Sequence, residues 1–197
     1  MIEEKIESAK AVLEAMFFAS NRPVSKGTLR AVLSEFSETE IEGALAALRE
    51  EYDSSGRGVR LIEIAGGYQV VSKEEFAAWV ERLMKGTRKA RLSKPALETV
   101  AVVAYRQPVT RAGIEQIRGV DVASVLATLL ERGLIAVKGR AHGVGRPLLY
   151  GTTQQFLTYF RLNDLSELPR LEELEILLES RESQAEELGE LGTGEAQ

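Results

Sequence analysis

The sequence predicts a mainly helical α+β protein that contains two copies of one module, and two matches within the chain lead to this fold class. Residues 12–33, "VLEAMFFASNRPVSKGTLRAVL", match residues 96–117, "ALETVAVVAYRQPVTRAGIEQI", in their apolar and turn positions. Residues 67–83 match residues 147–162 in the same way. Because the two matches keep the same order, we interpret the chain as a duplicated module with a period of about 80 to 85 residues.

Each copy is predicted to begin with a helix that is followed by a second, short helix. Leu13, Met16 and Phe17 recur with helical spacing in the first copy. The corresponding residues of the second copy are Leu97, Val100, Ala101 and Ala104. Ser25 and Thr110 each follow a Pro-Val pair, so their hydroxyls are expected to cap the N-terminus of the short helix.

A third helix and a β-hairpin are predicted to complete each copy. The capping box "SETE" at 37–40 opens the third helix of the first copy, and its counterpart runs from about 121 to 132. The β-rich runs "VRLIEIA" and "GYQVV" follow in the first copy, and "LIAVKG" and "PLLYG" in the second. Further capping boxes at 72–75 and 152–155 are predicted to open a fourth helix. Three helices and a hairpin form the winged-helix variant of the helix-turn-helix, so we predict two tandem winged-helix domains.

Charge divides the chain into segments that differ in sign. Residues 1–85 carry 11 basic and 15 acidic side chains, residues 86–162 carry 12 and 4, and residues 163–197 carry 2 and 11. We therefore expect a basic second module to meet an acidic partner. The predicted parts are an N-terminal domain (1–85), a basic linker (86–92), a C-terminal domain (93–169) and an acidic tail (170–197) with a short helix and a disordered end.

Composition excludes several kinds of active site. The chain has no cysteine, which leaves no thiol nucleophile and no thiolate metal ligand. Its one histidine, His142, lies in a glycine-rich turn, and neither GxxxxGK[ST] nor GxGxxG occurs. The acidic residues are 27 Glu and three Asp, spread along the predicted helices. We predict no catalytic residue, no cofactor and no metal, and, because no apolar run approaches ~20 residues, a cytoplasmic protein without a membrane span.

Binding to DNA is the main alternative, since winged-helix proteins commonly place the third helix in the major groove. The third helix of the first copy has several glutamates but only one basic residue, Arg49. That of the second copy ends in a single arginine. Neither helix is suited to reading bases. The basic side chains of the second module lie elsewhere, where weak, salt-sensitive contact with DNA stays open beside the favoured acidic protein segment.

The first helix of each copy carries more apolar residues than a small module can bury. In the first copy, Val12 and Phe18 flank the predicted inward stripe. We therefore expect another chain to cover these helices. The candidate dimer interface consists of Val12, Met16, Phe17 and Phe18.

Residues 92–169 closely resemble the segregation and condensation protein B (ScpB) family. The specific pieces are "ALETVAVVAYRQPVTRAGIEQIRGV", "LLERGLI" and "GRPLLYGTT". The first module resembles the family more loosely, through its "LEAMFFAS" opening and "GGYQ" in the hairpin. Arg161 is a departure, because a glycine is usual in the family at this position.

The resemblance implies a non-enzymatic subunit made of two winged-helix modules that forms a homodimer through its N-terminal modules. It also implies binding to the kleisin ScpA, which links the heads of the SMC ATPase in chromosome condensation and segregation. On that basis we expect the second module to bind the kleisin, with four arginines as candidates: Arg106, Arg111, Arg140 and Arg146. A winged-helix transcriptional regulator that binds DNA is the alternative.

Overall fold

The computed structural model describes residues 2–54, 56–84, 91–143 and 145–170. Most of the predicted linker (86–92) and the predicted acidic tail from residue 171 onward lie outside these ranges. The chain divides between Asp164 and Leu165 into two compact units, and both modules belong to the first unit. The described part of the second unit contains a 3₁₀ turn, Leu165–Glu167.

The first module alternates helices with a three-stranded antiparallel sheet. Its elements are α1 (Ile2–Ala19), β1 (Val24–Ser25), α2 (Lys26–Val32), α3 (Glu38–Asp53), β2 (Val59–Ile64), β3 (Gly67–Ser72), a 3₁₀ turn (Glu74–Phe76) and α4 (Ala77–Leu83). Strand β3 lies in the centre of the sheet, between β1 and β2.

The second module repeats this order. Its elements are α5 (Lys94–Arg106), β4 (Val109–Thr110), α6 (Arg111–Arg118), α7 (Ala123–Glu131), β5 (Ile135–Arg140), β6 (Leu148–Thr152) and α8 (Gln154–Phe160). Its sheet has the matching order β4-β6-β5. The predicted fold class, mainly helical α+β with two tandem winged-helix modules, is thus confirmed.

Side-chain caps start α2, α3 and α6 where the sequence predicts them. The Ser25 hydroxyl accepts a hydrogen bond from the Thr28 N–H at 3.1 Å, and the Thr110 hydroxyl accepts one from the Gly113 N–H at 3.1 Å. Ser37 and Glu40 form the reciprocal capping box of α3. The N–H of Ser37 donates to the Glu40 carboxylate, which holds the pKa of Glu40 below its ordinary value.

The predicted caps of the fourth helix, Ser72 and Thr152, are wrong: α4 has no side-chain cap, and the cap of α8 lies one residue further along. Ser72 and Thr152 are the last residues of their strands and pair with Val59 and Ile135. In the second module Thr153 is the cap, and its hydroxyl accepts from the Phe156 N–H at 3.3 Å. The strands extend one residue further than the turn pattern suggests, because Thr152 also bonds to the Gln107 side chain through its N–H and its hydroxyl.

The buried face of α1 agrees with the predicted stripe, whereas that of α5 differs from it. Leu13 and Phe17 are buried in the core of the first module. In α5, by contrast, Leu97 and Ala101 are exposed. Their place is taken by Ala96, Thr99 and Val103. Thr99 is fully buried, and its hydroxyl keeps a hydrogen-bond partner because the Arg118 guanidinium donates to it at 2.6 Å.

The hairpin turn of the first module contacts the second module. The Ala65 N–H donates to the Leu162 carbonyl at 2.9 Å, and the Gln154 side-chain amide donates to the Ala65 carbonyl. As a result Ala65 is buried although it lies at the tip of a hairpin. Leu92, placed by the sequence at the end of the linker, is also buried, and its N–H donates to the Tyr159 hydroxyl at 3.4 Å.

Arg161 ends α8 in the left-handed conformation, with φ at 58°. A residue with a side chain loses roughly 1–2 kcal/mol in this conformation, and the greater freedom of glycine in the unfolded chain offsets about 0.5–1 kcal/mol of that. Arg161→Gly is therefore expected to stabilise the second module by about 0.5 kcal/mol, measured by urea unfolding. Arg161→Ala removes the same charge but keeps the Cβ atom, so an equal gain from both variants would contradict the backbone explanation.

Candidate interaction surfaces

The predicted interface on α1 divides into core and surface residues. Phe17 is only 3% exposed and fills the core, so it is not part of the surface. Met16 packs against this core and is partly buried. Phe18 is 92% exposed, and Val12 is also exposed. Val12 and Phe18 are six positions apart along the helix, which places them about 120° apart on opposite flanks of the buried stripe.

The helix α4 offers an apolar face that the sequence analysis did not identify. Phe76, Trp79, Val80 and Leu83 recur at the spacing of one helical face, and all four are exposed. Trp79 is 64% and Leu83 is 83% exposed. No residue of α4 is buried within the described chain. The sequence signal that could have revealed this face is the amphipathic pattern of residues 76–83, which follows Glu74 and Glu75 and includes Glu81.

Of the matching positions in the second module, Phe156 and Phe160 are packed, whereas Tyr159, which matches Trp79, is 42% exposed. Phe156, which matches Phe76, is 2% exposed, and its ring lies 4.7 Å from that of Phe160. At this phenylalanine position, the repeated sequence pattern is therefore packed into the core in the second module and exposed in the first. An exposed apolar face of this kind is typical of interaction surfaces.

The four candidate arginines have different surroundings. Arg111 is bound by two carboxylates, Glu115 at 2.7 Å and Asp121. Its hydrogen bond to Glu115 raises the pKa of Arg111. Among the described residues, Arg106, Arg140 and Arg146 are exposed and have no carboxylate partner. Arg111 is thus already neutralised, while the other three are available.

Arg106 ends the helix whose outer face is apolar. Leu97 is 41% exposed on α5, and Ala101, one turn further along, is exposed as well. Arg140 and Arg146 lie instead on the β5–β6 hairpin, where the Arg140 guanidinium donates to the Arg146 carbonyl at 3.2 Å. The structure therefore does not bring the four arginines into one site.

The described residues contain no cluster suited to metal binding, defined as three or more His, Cys, Asp or Glu side chains. His142 is exposed in its glycine-rich turn. In the described part of the chain, no helix has the length and apolar character needed to cross a bilayer.

The profile of the family described as "Segregation and condensation complex subunit ScpB" matches residues 11–171. The chain belongs to this family. A protein of Geobacillus thermodenitrificans named "Segregation and condensation protein B" is 47% identical over 166 residues, which cover 84% of this chain and 79% of that protein. One of Syntrophotalea carbinolica with the same name is 44% identical over 174 residues, or 88% of this chain and 87% of that one.

A solved structure is also similar to part of this ScpB-family chain. It is described as "Crystal structure of dimer of ScpB N-terminal domain complexed with ScpA peptide" and is 32% identical. The similarity covers 40% of this chain and 96% of that one, with a TM-score of 0.37.

Proposed function

We propose that this chain is a non-enzymatic, homodimeric subunit of a condensin-like SMC–kleisin complex that takes part in chromosome condensation and segregation during cell division. The N-terminal domain (1–85) forms the dimer, and the C-terminal domain (93–169) binds the kleisin ScpA, which connects it to the SMC ATPase. The protein works in the cytoplasm, at the nucleoid. The observation that carries this proposal is the unfilled apolar face of α4 on a chain of the ScpB family.

Pairing through α4 follows from the physics of a short helix. Seven residues make a helix that is marginal without tertiary packing. Trp79 and Leu83 together expose most of their side chains, and tryptophan is a favoured anchor at interfaces. The similar N-terminal domain is described as a dimer, which supports placing the contact in this module. Phe18 and Val12 on α1 are the alternative candidates for this contact.

Kleisin binding uses the outer face of α5 in this proposal. Leu97 and Ala101 supply apolar contact on one flank of the exposed side of α5. Arg106, at the C-terminal end of the helix and about 180° around it from Leu97, supplies the charge that orients an acidic segment crossing that side. Arg111 contributes little, because Glu115 and Asp121 already bind it.

Co-purification of the full chain with its cognate kleisin tests this function. Leu97→Glu combined with Arg106→Glu is expected to lower the retained kleisin at least about tenfold at moderate salt, because two carboxylates then face an acidic partner. Arg111→Ala is the matched control and is expected to retain the kleisin. Undiminished binding by the double variant would place the kleisin elsewhere, and absence of binding by the unaltered chain would overturn the proposal.

A further inference from the structure

The β5–β6 hairpin carries an unopposed positive charge at its tip. Its end, residues 138–147, is here called the second wing. Lys138, Arg140 and Arg146 are exposed there, beside His142. The sequence has no aspartate or glutamate between Glu131 and Asp164. Among the described residues, none of the three cations forms an ion pair with a carboxylate.

The described residues of the second wing offer no large apolar side chain that could anchor a bound peptide. Its other described residues are Gly139, Ala141, Gly143, Gly145 and Pro147. Protein interfaces derive most of their affinity from buried aromatic, aliphatic or arginine anchors in pockets. A charged loop without such anchors instead suits a polyanion, which is held by charge and by backbone contact.

The glycines leave the loop backbone open to close approach. A Cβ atom built at Gly139, Gly143 or Gly145 would meet nothing within 4 Å. All three have positive φ values, of 159°, 111° and 77°, so glycine also suits the turn itself. A ligand can therefore reach the main chain between the arginines.

We propose that the second wing binds the phosphate backbone of duplex DNA without reading its bases. The third helix of the module, α7, exposes Ser124, Thr128 and Glu131 and contains no arginine or lysine. A helix of this composition offers nothing that pairs strongly with guanine and repels phosphate at its end. Contact through the wing alone gives binding that is independent of sequence and weakens steeply with salt.

The first wing provides an internal contrast. Its two-residue turn is covered by the second module through the Ala65 contacts. The hairpin carries Arg60 and Glu63, and Lys26 pairs with Glu63 at 2.7 Å. The first wing therefore has neither a free tip nor a surplus of positive charge, so the DNA contact belongs to the second module.

Fluorescence anisotropy with the full chain and labelled 30-base-pair duplexes of two unrelated sequences tests the proposal. The unaltered chain is expected to bind both duplexes equally, with a Kd of about 10 µM at low salt. Arg140→Ala combined with Arg146→Ala is expected to raise that Kd at least about tenfold and to flatten the slope of log K against log salt by about 2. Circular dichroism is expected to show an unchanged fold, because both side chains are exposed.

Arg49→Ala combined with Arg60→Ala removes the same charge from exposed positions of the first module and is the matched control. Equal weakening by this control would reduce the effect to net charge and overturn the proposal. So would an absence of DNA binding by the unaltered chain, or a strong preference for one duplex, which would indicate base readout. If the wing variant keeps DNA but loses the kleisin, the second wing faces the kleisin instead. Loss of DNA with retained kleisin supports the proposal and leaves the proposed kleisin site intact.

Discussion

Replacing Gly67 by alanine is expected to destabilise the first module by about 3 kcal/mol. Gly67 opens β3 opposite Ser25 of β1, and a Cβ atom there would lie 2.5 Å from the Val24 carbonyl oxygen and 2.8 Å from its carbon. Both are backbone atoms, so relief requires β1 to separate from β3. That separation loses ladder hydrogen bonds and exposes Val24, which is buried in the core. Urea unfolding followed by far-ultraviolet circular dichroism measures the change.

Gly27→Ala is the control for this substitution, because it adds the same methyl group at a position with space. Gly27 lies in α2, and a Cβ atom there would meet only the Ser25 hydroxyl oxygen at 3.8 Å. Alanine favours a helix over glycine, so this variant is expected to stabilise the module by about 0.5 kcal/mol. If Gly67→Ala instead unfolds at the same urea concentration as the unaltered chain, the close approach of β1 does not constrain this residue.

The sequence predicted most of the helices but not the short strands β1 and β4. The helices α2 and α3 were predictable, because their caps, Ser25 and Ser37, act on residues within one turn. The strands β1 and β4 have two residues each, which is too short for alternation of apolar and polar side chains to be visible. They exist because β3 and β6 offer a free edge, and that edge is formed by residues far along the chain.

Which side chains are exposed and unpaired also depends on contacts between residues that are not neighbours in the sequence. Helical spacing in α5 did not reveal that Arg118 would satisfy Thr99 and allow it to be buried in place of Leu97. Nor could it show that Asp121, ten residues away, would bind Arg111. A pattern of apolar and charged residues specifies which side chains share a face. Whether a face is covered depends on which other elements pack there, as Phe76 and Phe156 show by their 37% and 2% exposure.

Replacing Leu83 by glutamate is expected to convert the proposed dimer into a monomer at micromolar concentration. In a two-fold symmetric contact each residue occurs twice, so one substitution introduces two carboxylates into the same apolar surface. Loss of solvation and mutual repulsion are expected to weaken pairing at least about a hundredfold. Light scattering of the purified chain measures the mass directly. Because Leu83 is 83% exposed within the described chain, its replacement leaves the fold of the module intact.

Val32→Glu supplies the control for this prediction, since Val32 is also a largely exposed apolar residue but belongs to a different helix, α2. It adds the same charge and is expected to keep the dimer mass. A dimer that survives Leu83→Glu would remove α4 from the interface and leave the two flanks of α1 as the remaining candidates. Those flanks lie about 120° apart, so a contact centred on one of them need not include the other. Phe18→Glu and Val12→Glu would then distinguish the flanks, because only the variant on the covered side can lower the mass.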